Sequence, residues 1–144
     1  MPTILIVDDE PAVLLALEAV LTRDGYTVHT TSTPAQSLQL FDREQPDLVL
    51  LDINLGSAGQ TAGLDLLPLM RDRRPTILVV MVSGYLDPPT REAAFAAGAV
   101  DCWPKPIALQ TLRERVVTVL GIPDRKMNAA AQDNDLPAPF RERP

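Results

Sequence analysis

Five short apolar runs alternate along this chain with stretches of helical periodicity, and this alternation restricts the fold more than any other feature. The runs cover residues 3–7, 26–30, 47–51, 76–82 and 99–103. Three of them are apolar almost throughout, which is typical of strands buried on both faces of a sheet. Strands that alternate with helices are joined by right-handed crossovers, so the pattern predicts an α/β fold with a parallel sheet covered by helices on both faces. The first, third and fourth runs are expected to be its inner strands.

Helical periodicity fills the intervals between the runs. The first predicted helix opens at Pro11, ends at Gly25 and carries one apolar stripe made of Val13, Leu14, Leu17, Val20 and Leu21. Further helices are predicted near 34–45, 64–74, 89–97 and 107–121. The last is expected to bury Leu109, Leu112, Val116 and Leu120 and to expose Gln110, Arg113 and Glu114.

Composition narrows the class of protein. Thirteen Lys and Arg against nineteen Asp and Glu give a formal net charge of −6, and no basic run interrupts the acidic balance, so direct binding to nucleic acid is disfavoured. No apolar stretch approaches the roughly 20 residues of a membrane span, and the first residues lack the features of a signal peptide. The single cysteine, Cys102, cannot form an internal disulfide. We therefore expect a cytoplasmic protein that contacts neither membrane nor nucleic acid directly.

The domain organisation changes near residue 122. Residues 1–121 carry the alternating pattern, enough for one domain with its own core. Residues 122–144 contain four prolines, mixed charge and no sustained period. We interpret this segment as a flexible tail or linker.

Polar side chains follow the apolar runs where the strands end: Asp8, Asp9, Asp52, Ser83 and Lys105. The functional crevice of an open parallel sheet lies beyond the carboxyl ends of its strands, so these groups should meet at one rim. A single Asp at a strand end is usually a turn former or a helix cap, and the prediction rests on the whole set.

Three neighbouring carboxylates repel one another, which raises the pKa of at least one unless positive charge is present. Clustered carboxylate and carbonyl oxygens suit Mg²⁺. A carboxylate beside Mg²⁺ and an amine is equipped to attack phosphorus. The set therefore predicts a phosphoryl-transfer site.

Four motifs carry a resemblance to a known family: "ILIVDDEP", "PDLVLLDINL", "ILVVMVSGY" and "GAVDCWPKPI". Over about residues 3–121 they resemble the receiver domain of two-component response regulators. The resemblance implies a flavodoxin-like, doubly wound, five-stranded parallel sheet of order 2-1-3-4-5 with five helices. It also implies a signalling module that catalyses its own phosphorylation and dephosphorylation, rather than a metabolic enzyme.

The resemblance assigns roles to individual residues. Asp52 matches the phosphoacceptor, and Mg²⁺ is expected to bind Asp8, Asp9, Asp52 and the main-chain carbonyl of Asn54. Phosphoryl binding and switching fall to Ser83, Gly84 and Lys105, and Pro106 matches the structural proline that follows the lysine, commonly through a cis bond.

The resemblance also implies partners. A sensor histidine kinase or a histidine phosphotransfer protein would donate the phosphoryl group. A downstream protein target would bind the surface formed by the fourth helix, fifth strand and fifth helix, residues 87–121. A weak homodimer through the same surface is a further expectation.

Two features depart from the family pattern. Cys102 stands where the family usually carries Tyr or Phe, and Trp103 beside it should face the opposite side of the sheet. After Asp52, Gly56 and Gln60 occupy the positions where a proline and a glycine are common. Gly63 then takes the place of the glycine before the next helix, which suggests a three-residue insertion and a longer, mobile flap.

These departures keep a second hypothesis open, a pseudo-receiver that binds partners without being phosphorylated. An Asp-nucleophile phosphatase of the haloacid dehalogenase type is disfavoured, because Asn54 stands where such enzymes need an acid. The sole histidine, His29, lies on the second strand and is expected to be structural.

Overall fold

A computed structural model describes residues 1–121, which form one parallel sheet of order β2-β1-β3-β4-β5. Its strands are β1 (Thr3–Val7), β2 (Thr27–Thr31), β3 (Leu48–Asp52), β4 (Leu78–Ser83) and β5 (Asp101–Pro104). The expected strand order is confirmed, and β1, β3 and β4 are the inner strands, as the apolar runs predicted. Every residue of β3 is buried, because this strand has neighbours on both edges and helices on both faces.

Five α-helices connect and follow the strands: α1 (Pro11–Arg23), α2 (Pro34–Glu44), α3 (Ala62–Arg73), α4 (Pro88–Ala96) and α5 (Leu109–Leu120). A short 3₁₀ helix, Gly56–Ala58, precedes α3. Proline occupies the first turn of α1, α2 and α4, where its missing N–H is not needed. Thr33 and Asp87 cap α2 and α4 by accepting hydrogen bonds from the Gln36 and Thr90 amides.

The helices cover the sheet in two layers. Side chains of α2, α3 and α4 form one core with Val49 and Leu51 of β3. Those of α1 and α5 form the other core with Leu48 and Leu50. Successive residues of one strand thus enter opposite cores, which is why the sequence of β3 reads as an unbroken apolar run.

The predicted buried face of α5 is wrong at one position. Leu112 and Val116 are buried, whereas Leu109 is 42% exposed. Leu109 is the first residue of the helix, and the stripe that packs in the core begins three residues later, at Leu112. The predicted tail, residues 122–144, lies outside the described residues. Within residues 1–121, no helix combines the length and apolar character that crossing a membrane requires.

At Gly63, the main chain of α3 packs closely against the main chain at the end of β3. Its N–H donates to the Ile53 carbonyl at 2.8 Å. A Cβ at this position would lie 1.8 Å from the main-chain oxygen of Asp52. Only glycine therefore fits here without a displacement of the helix from the strand.

We predict that Gly63→Ala lowers the free energy of unfolding by about 1–3 kcal/mol, the usual cost of overpacking a close contact. Urea unfolding followed by the fluorescence of Trp103 measures it. Gly84→Ala is the matched control, because among residues 1–121 no atom other than those of its two chain neighbours lies within 4 Å of the added Cβ. Equal unfolding midpoints for the two variants would contradict the packing argument.

Candidate functional site

The carboxyl ends of the strands deliver polar side chains to one rim, as the sequence predicted. Asp8 follows β1, and its amide donates to the Thr31 carbonyl at the end of β2 at 3.1 Å. Asp52 and Ser83 are the last residues of β3 and β4. Lys105 follows β5, and its amide donates to the Ser83 carbonyl at 2.8 Å. Strand ends from across the sheet therefore meet around one point.

The Lys105 ammonium is the centre of this arrangement. Its Nζ lies 2.7 Å from Asp8 Oδ2, 2.9 Å from Asp52 Oδ2 and 3.0 Å from Glu10 Oε1. Burial favours the neutral amine, but hydrogen bonds to Asp8, Asp52 and Glu10 outweigh it, and the pKa of Lys105 is raised. Lys105 is consequently a fixed positive charge among three carboxylates.

Asp52 is 5% exposed, and both of its carboxylate oxygens are engaged. Oδ2 accepts from Lys105, and Oδ1 accepts from the Asn54 amide at 3.2 Å. Burial raises the pKa of Asp52 and the charge of Asp8 adds to the rise, while the hydrogen bond from Lys105 opposes it. The expected repulsion between carboxylates is present, and desolvation is the larger cause.

Four acids can converge on one ion. Asp8, Asp9, Glu10 and Asp52 each place a carboxylate oxygen within 4.8 Å of the others, a separation compatible with a shared metal ion. Oxygen ligands of this kind suit a hard divalent cation. The sequence predicted three members of this group and missed Glu10. The signal for Glu10 was its place directly after the acidic pair, at the start of α1.

Asn54 borders the same cleft. Its side-chain oxygen accepts from the Gly56 amide at 2.9 Å, which orders the chain after β3. The use of its main-chain carbonyl as a metal ligand stays a prediction.

A cleft of about 800 Å³ opens beside Asp52, with Ser83, Gly84, Thr61 and Tyr85 among its lining residues. The Ser83 hydroxyl accepts from the Tyr85 amide and donates to the Tyr85 carbonyl, both at 3.2 Å. It is thus engaged with its own loop and borders the space next to Asp52. The cleft is large enough for a phosphoryl group and part of its donor.

The loop after Asp52 folds back against the acid cluster. The Leu55 amide donates to the Gly59 carbonyl at 3.0 Å, and the Leu55 side chain is buried. Gly56 has φ +61°, and a Cβ there would lie 2.4 Å from Asp9 Oδ2, so glycine allows the close approach. Gly63 was expected to precede the helix but is the second residue of α3. The mobility of the loop stays a prediction.

Cys102 and Trp103 lie on opposite faces of the sheet, as expected. Cys102 packs in the core formed with α2, α3 and α4, and Trp103 in the core formed with α1 and α5. The indole Nε1 of Trp103 donates to Asp101 Oδ2 at 2.9 Å. Trp103 is therefore held away from the position where the family carries its ring. Pro106 follows Lys105 through a cis peptide bond, as the resemblance implied.

We predict that Asp52→Asn stabilises the metal-free protein at about pH 7. A carboxyl whose pKa is raised in the folded state destabilises the protein when it is ionised. This loss of stability is complete above the folded-state pKa and absent below the unfolded-state pKa. The gain in stability should therefore shrink as the pH falls through the raised folded-state pKa of Asp52, and it should be nearly absent at about pH 4, the ordinary pKa of Asp in an unfolded chain. Urea unfolding in the presence of EDTA at both pH values measures it.

Asp9→Asn is the control, because Asp9 is exposed and makes no contact with Lys105. A destabilised Asp52→Asn variant at both pH values would mean that the ion pair with Lys105 outweighs burial.

Curated relatives share much of this sequence. The response regulator protein PilR of Pseudomonas aeruginosa is 36% identical over 132 residues, which cover 92% of this chain and 29% of PilR. The TorCAD operon transcriptional regulatory protein TorR of Escherichia coli is 35% identical over 133 residues, covering 91% of this chain and 56% of TorR. The chain thus spans less than two thirds of the length of either relative.

Solved structures share the fold. A CheY-like response regulator receiver domain protein from Methanospirillum hungatei is 30% identical with a TM-score of 0.78, covering 84% of this chain and 94% of its own. A response regulator from Thermotoga maritima is 30% identical with a TM-score of 0.75, covering 84% and 98%. The family model of the response regulator receiver domain matches residues 4–117. With its rim of Asp52, Lys105 and clustered acids, this chain belongs to the response regulator receiver domain family of two-component systems.

Proposed function

We propose that this chain is a phosphorylation-dependent switch in which Asp52 accepts a phosphoryl group. The donor is the phosphohistidine of a sensor histidine kinase or of a histidine phosphotransfer protein. One observation carries the proposal: Asp52 Oδ2 lies 2.9 Å from the Lys105 ammonium, beside an open cleft and a cluster of acids. Family membership implies phosphorylation on Asp, and the contacts of Asp52 with Lys105 and the cleft support Asp52 as that residue.

The transfer uses groups already at the rim. A carboxylate oxygen of Asp52 forms the new O–P bond while the P–N bond to the donor imidazole breaks, and the imidazole nitrogen keeps the bonding pair. Lys105 then donates to an oxygen of the bound phosphoryl group. Ser83 gives up its hydrogen bonds to Tyr85 and turns toward the same group.

Mg²⁺ is the proposed cofactor. Asp8, Asp9, Asp52 and the main-chain carbonyl of Asn54 are the residues that would hold it. When bound, it supplies positive charge that offsets the repulsion between the acids and the phosphoryl oxygens. The acid cluster around Lys105 supports this assignment.

The proposed output is a change in the surface of α4, β5 and α5, residues 87–121. Phosphorylation replaces the single negative charge of the Asp52 carboxylate by about two on the phosphoryl group and adds three acceptor oxygens, which draw Ser83 and Lys105 toward Asp52. Ser83 ends β4, ahead of α4, and Lys105 links β5 to α5, so displacement of either reaches this surface. In the family, the ring of the Tyr or Phe usual at position 102 changes position as the hydroxyl residue moves, and Cys102 has no ring that could do so.

The downstream target is proposed to be a protein. PilR and TorR are regulators longer than this chain, and TorR is a transcriptional regulatory protein by name. We further propose that residues 1–121 are the receiver and that residues 122–144 are a linker or tail. Gly84 is proposed as part of the turn that binds the phosphoryl group. The weak homodimer and the cytoplasmic location stay predictions.

A pseudo-receiver remains the second candidate function. The observation in its favour is Cys102, which packs in the core where the family usually carries an aromatic ring. Family membership gives the phosphatase hypothesis no support.

We predict that acetyl phosphate phosphorylates the wild type once in the presence of Mg²⁺ and not in its absence, because the acids need positive charge beside them. Intact-protein mass measures the gain. Asp52→Asn is expected to show no gain, since its amide is not a nucleophile.

A folded wild type that neither gains mass nor binds beryllofluoride would favour the pseudo-receiver. A gain that persists in Asp52→Asn would move the phosphoacceptor to another residue. Steady turnover of a small phosphate ester with Mg²⁺ would instead revive the phosphatase hypothesis.

A further inference from the structure

Lys105 holds a third carboxylate, Glu10, to which the proposed transfer assigns no part. Glu10 Oε1 lies 3.0 Å from Nζ. Its side chain is 58% exposed, whereas those of Asp8 and Asp52 are 4% and 6% exposed. Glu10 is therefore the one partner of the ammonium that solvent reaches freely.

The ammonium has no donor to spare. Lysine offers three N–H donors and no acceptor, and three carboxylates lie within hydrogen-bond distance of Nζ. The donor that serves Asp52 can follow a new phosphoryl group, but that group presents three strong acceptor oxygens and about two negative charges. The phosphoryl group therefore repels the Glu10 carboxylate, the most exposed of the three, and competes with it for the ammonium.

The main chain of Glu10 is fixed while its side chain can leave. Its amide donates to Asp8 Oδ1 at 2.9 Å, and its carbonyl accepts from the Val13 and Leu14 amides at 3.0 and 3.1 Å. Rotation of the side chain into water disturbs none of these bonds. An exposed ion pair of this kind contributes little stability, so its loss on phosphorylation costs little.

We propose that Glu10 is a positioning residue that tethers Lys105 in the unphosphorylated site and competes with the phosphoryl group for the ammonium. By holding Lys105 it lowers the affinity of the site for a phosphoryl group. This role rests on the proposed function. It adds to that function a residue that sets the affinity of the site for a phosphoryl group.

The test uses beryllofluoride, a phosphoryl mimic, with saturating Mg²⁺, and ¹⁹F NMR to measure its dissociation constant. Glu10→Gln removes the competing charge, and we expect about two- to fivefold tighter binding, the size of one exposed ion pair. Glu10→Asp keeps the charge but is one methylene too short to hold Nζ, so it should bind with intermediate affinity. Glu18→Gln is the control on α1, about two turns from its N-cap Glu10. Glu18 makes no ion pair within residues 1–121, so this variant should match the wild type.

Each outcome is decisive. Unchanged affinity in Glu10→Gln overturns the proposed competition. Weaker binding in Glu10→Gln, accompanied by a lower affinity for Mg²⁺, makes Glu10 a metal ligand and also overturns it. A wild type that binds no beryllofluoride contradicts the proposed function itself, a failure distinct from the two others. Circular dichroism confirms that each variant is folded.

Discussion

The attraction between the Lys105 ammonium and the buried carboxylates of Asp8 and Asp52 is the constraint on which the rim depends. Burial and mutual repulsion both oppose two ionised acids at neighbouring strand ends, and an unpaired buried charge is strongly destabilising. Lys105 supplies the positive charge from the far side of β4. The strand order is thus what allows the site to exist. The same balance leaves the pKa of Asp52 raised, with burial as the main cause.

Residues within the strands form the cores, and residues at the strand ends form the site. Within the strands both faces are covered, so nearly every position must be apolar. Where a strand ends, its residues lie outside the two apolar cores, so polar side chains can stand there without disrupting the packing. The ends of these strands meet at one rim. Gly63 and Gly56 permit this junction to be compact, since a side chain at either position would strike Asp52 or Asp9.

The departures from the family pattern lie beside the acid and amine set and leave that set intact. Cys102 fills its position as a small core residue, and Trp103 is held on the opposite face by Asp101. In the loop after Asp52, the side chain of Leu55 returns to the core. The contacts of Asp52 with Lys105 and Asn54 are therefore independent of which side chain occupies position 102.

The amino-acid sequence by itself determined the alternation of strands and helices, the inner strands and the residues of the rim. These follow from local rules. Burial on two faces requires an apolar run, and the carboxyl ends of parallel strands all lie at the edge of the sheet where the functional crevice forms. Periodicity also placed Leu112 and Val116 in the core, but it misplaced Leu109, since a helical stripe does not say at which residue it enters the core. Only the tertiary structure decided that Glu10 reaches Lys105, that Gly63 touches the main chain of Asp52, and that burial is the main cause of the raised pKa of Asp52. Each of these depends on distances between separate elements of the fold, and such distances are set by packing rather than by local pattern.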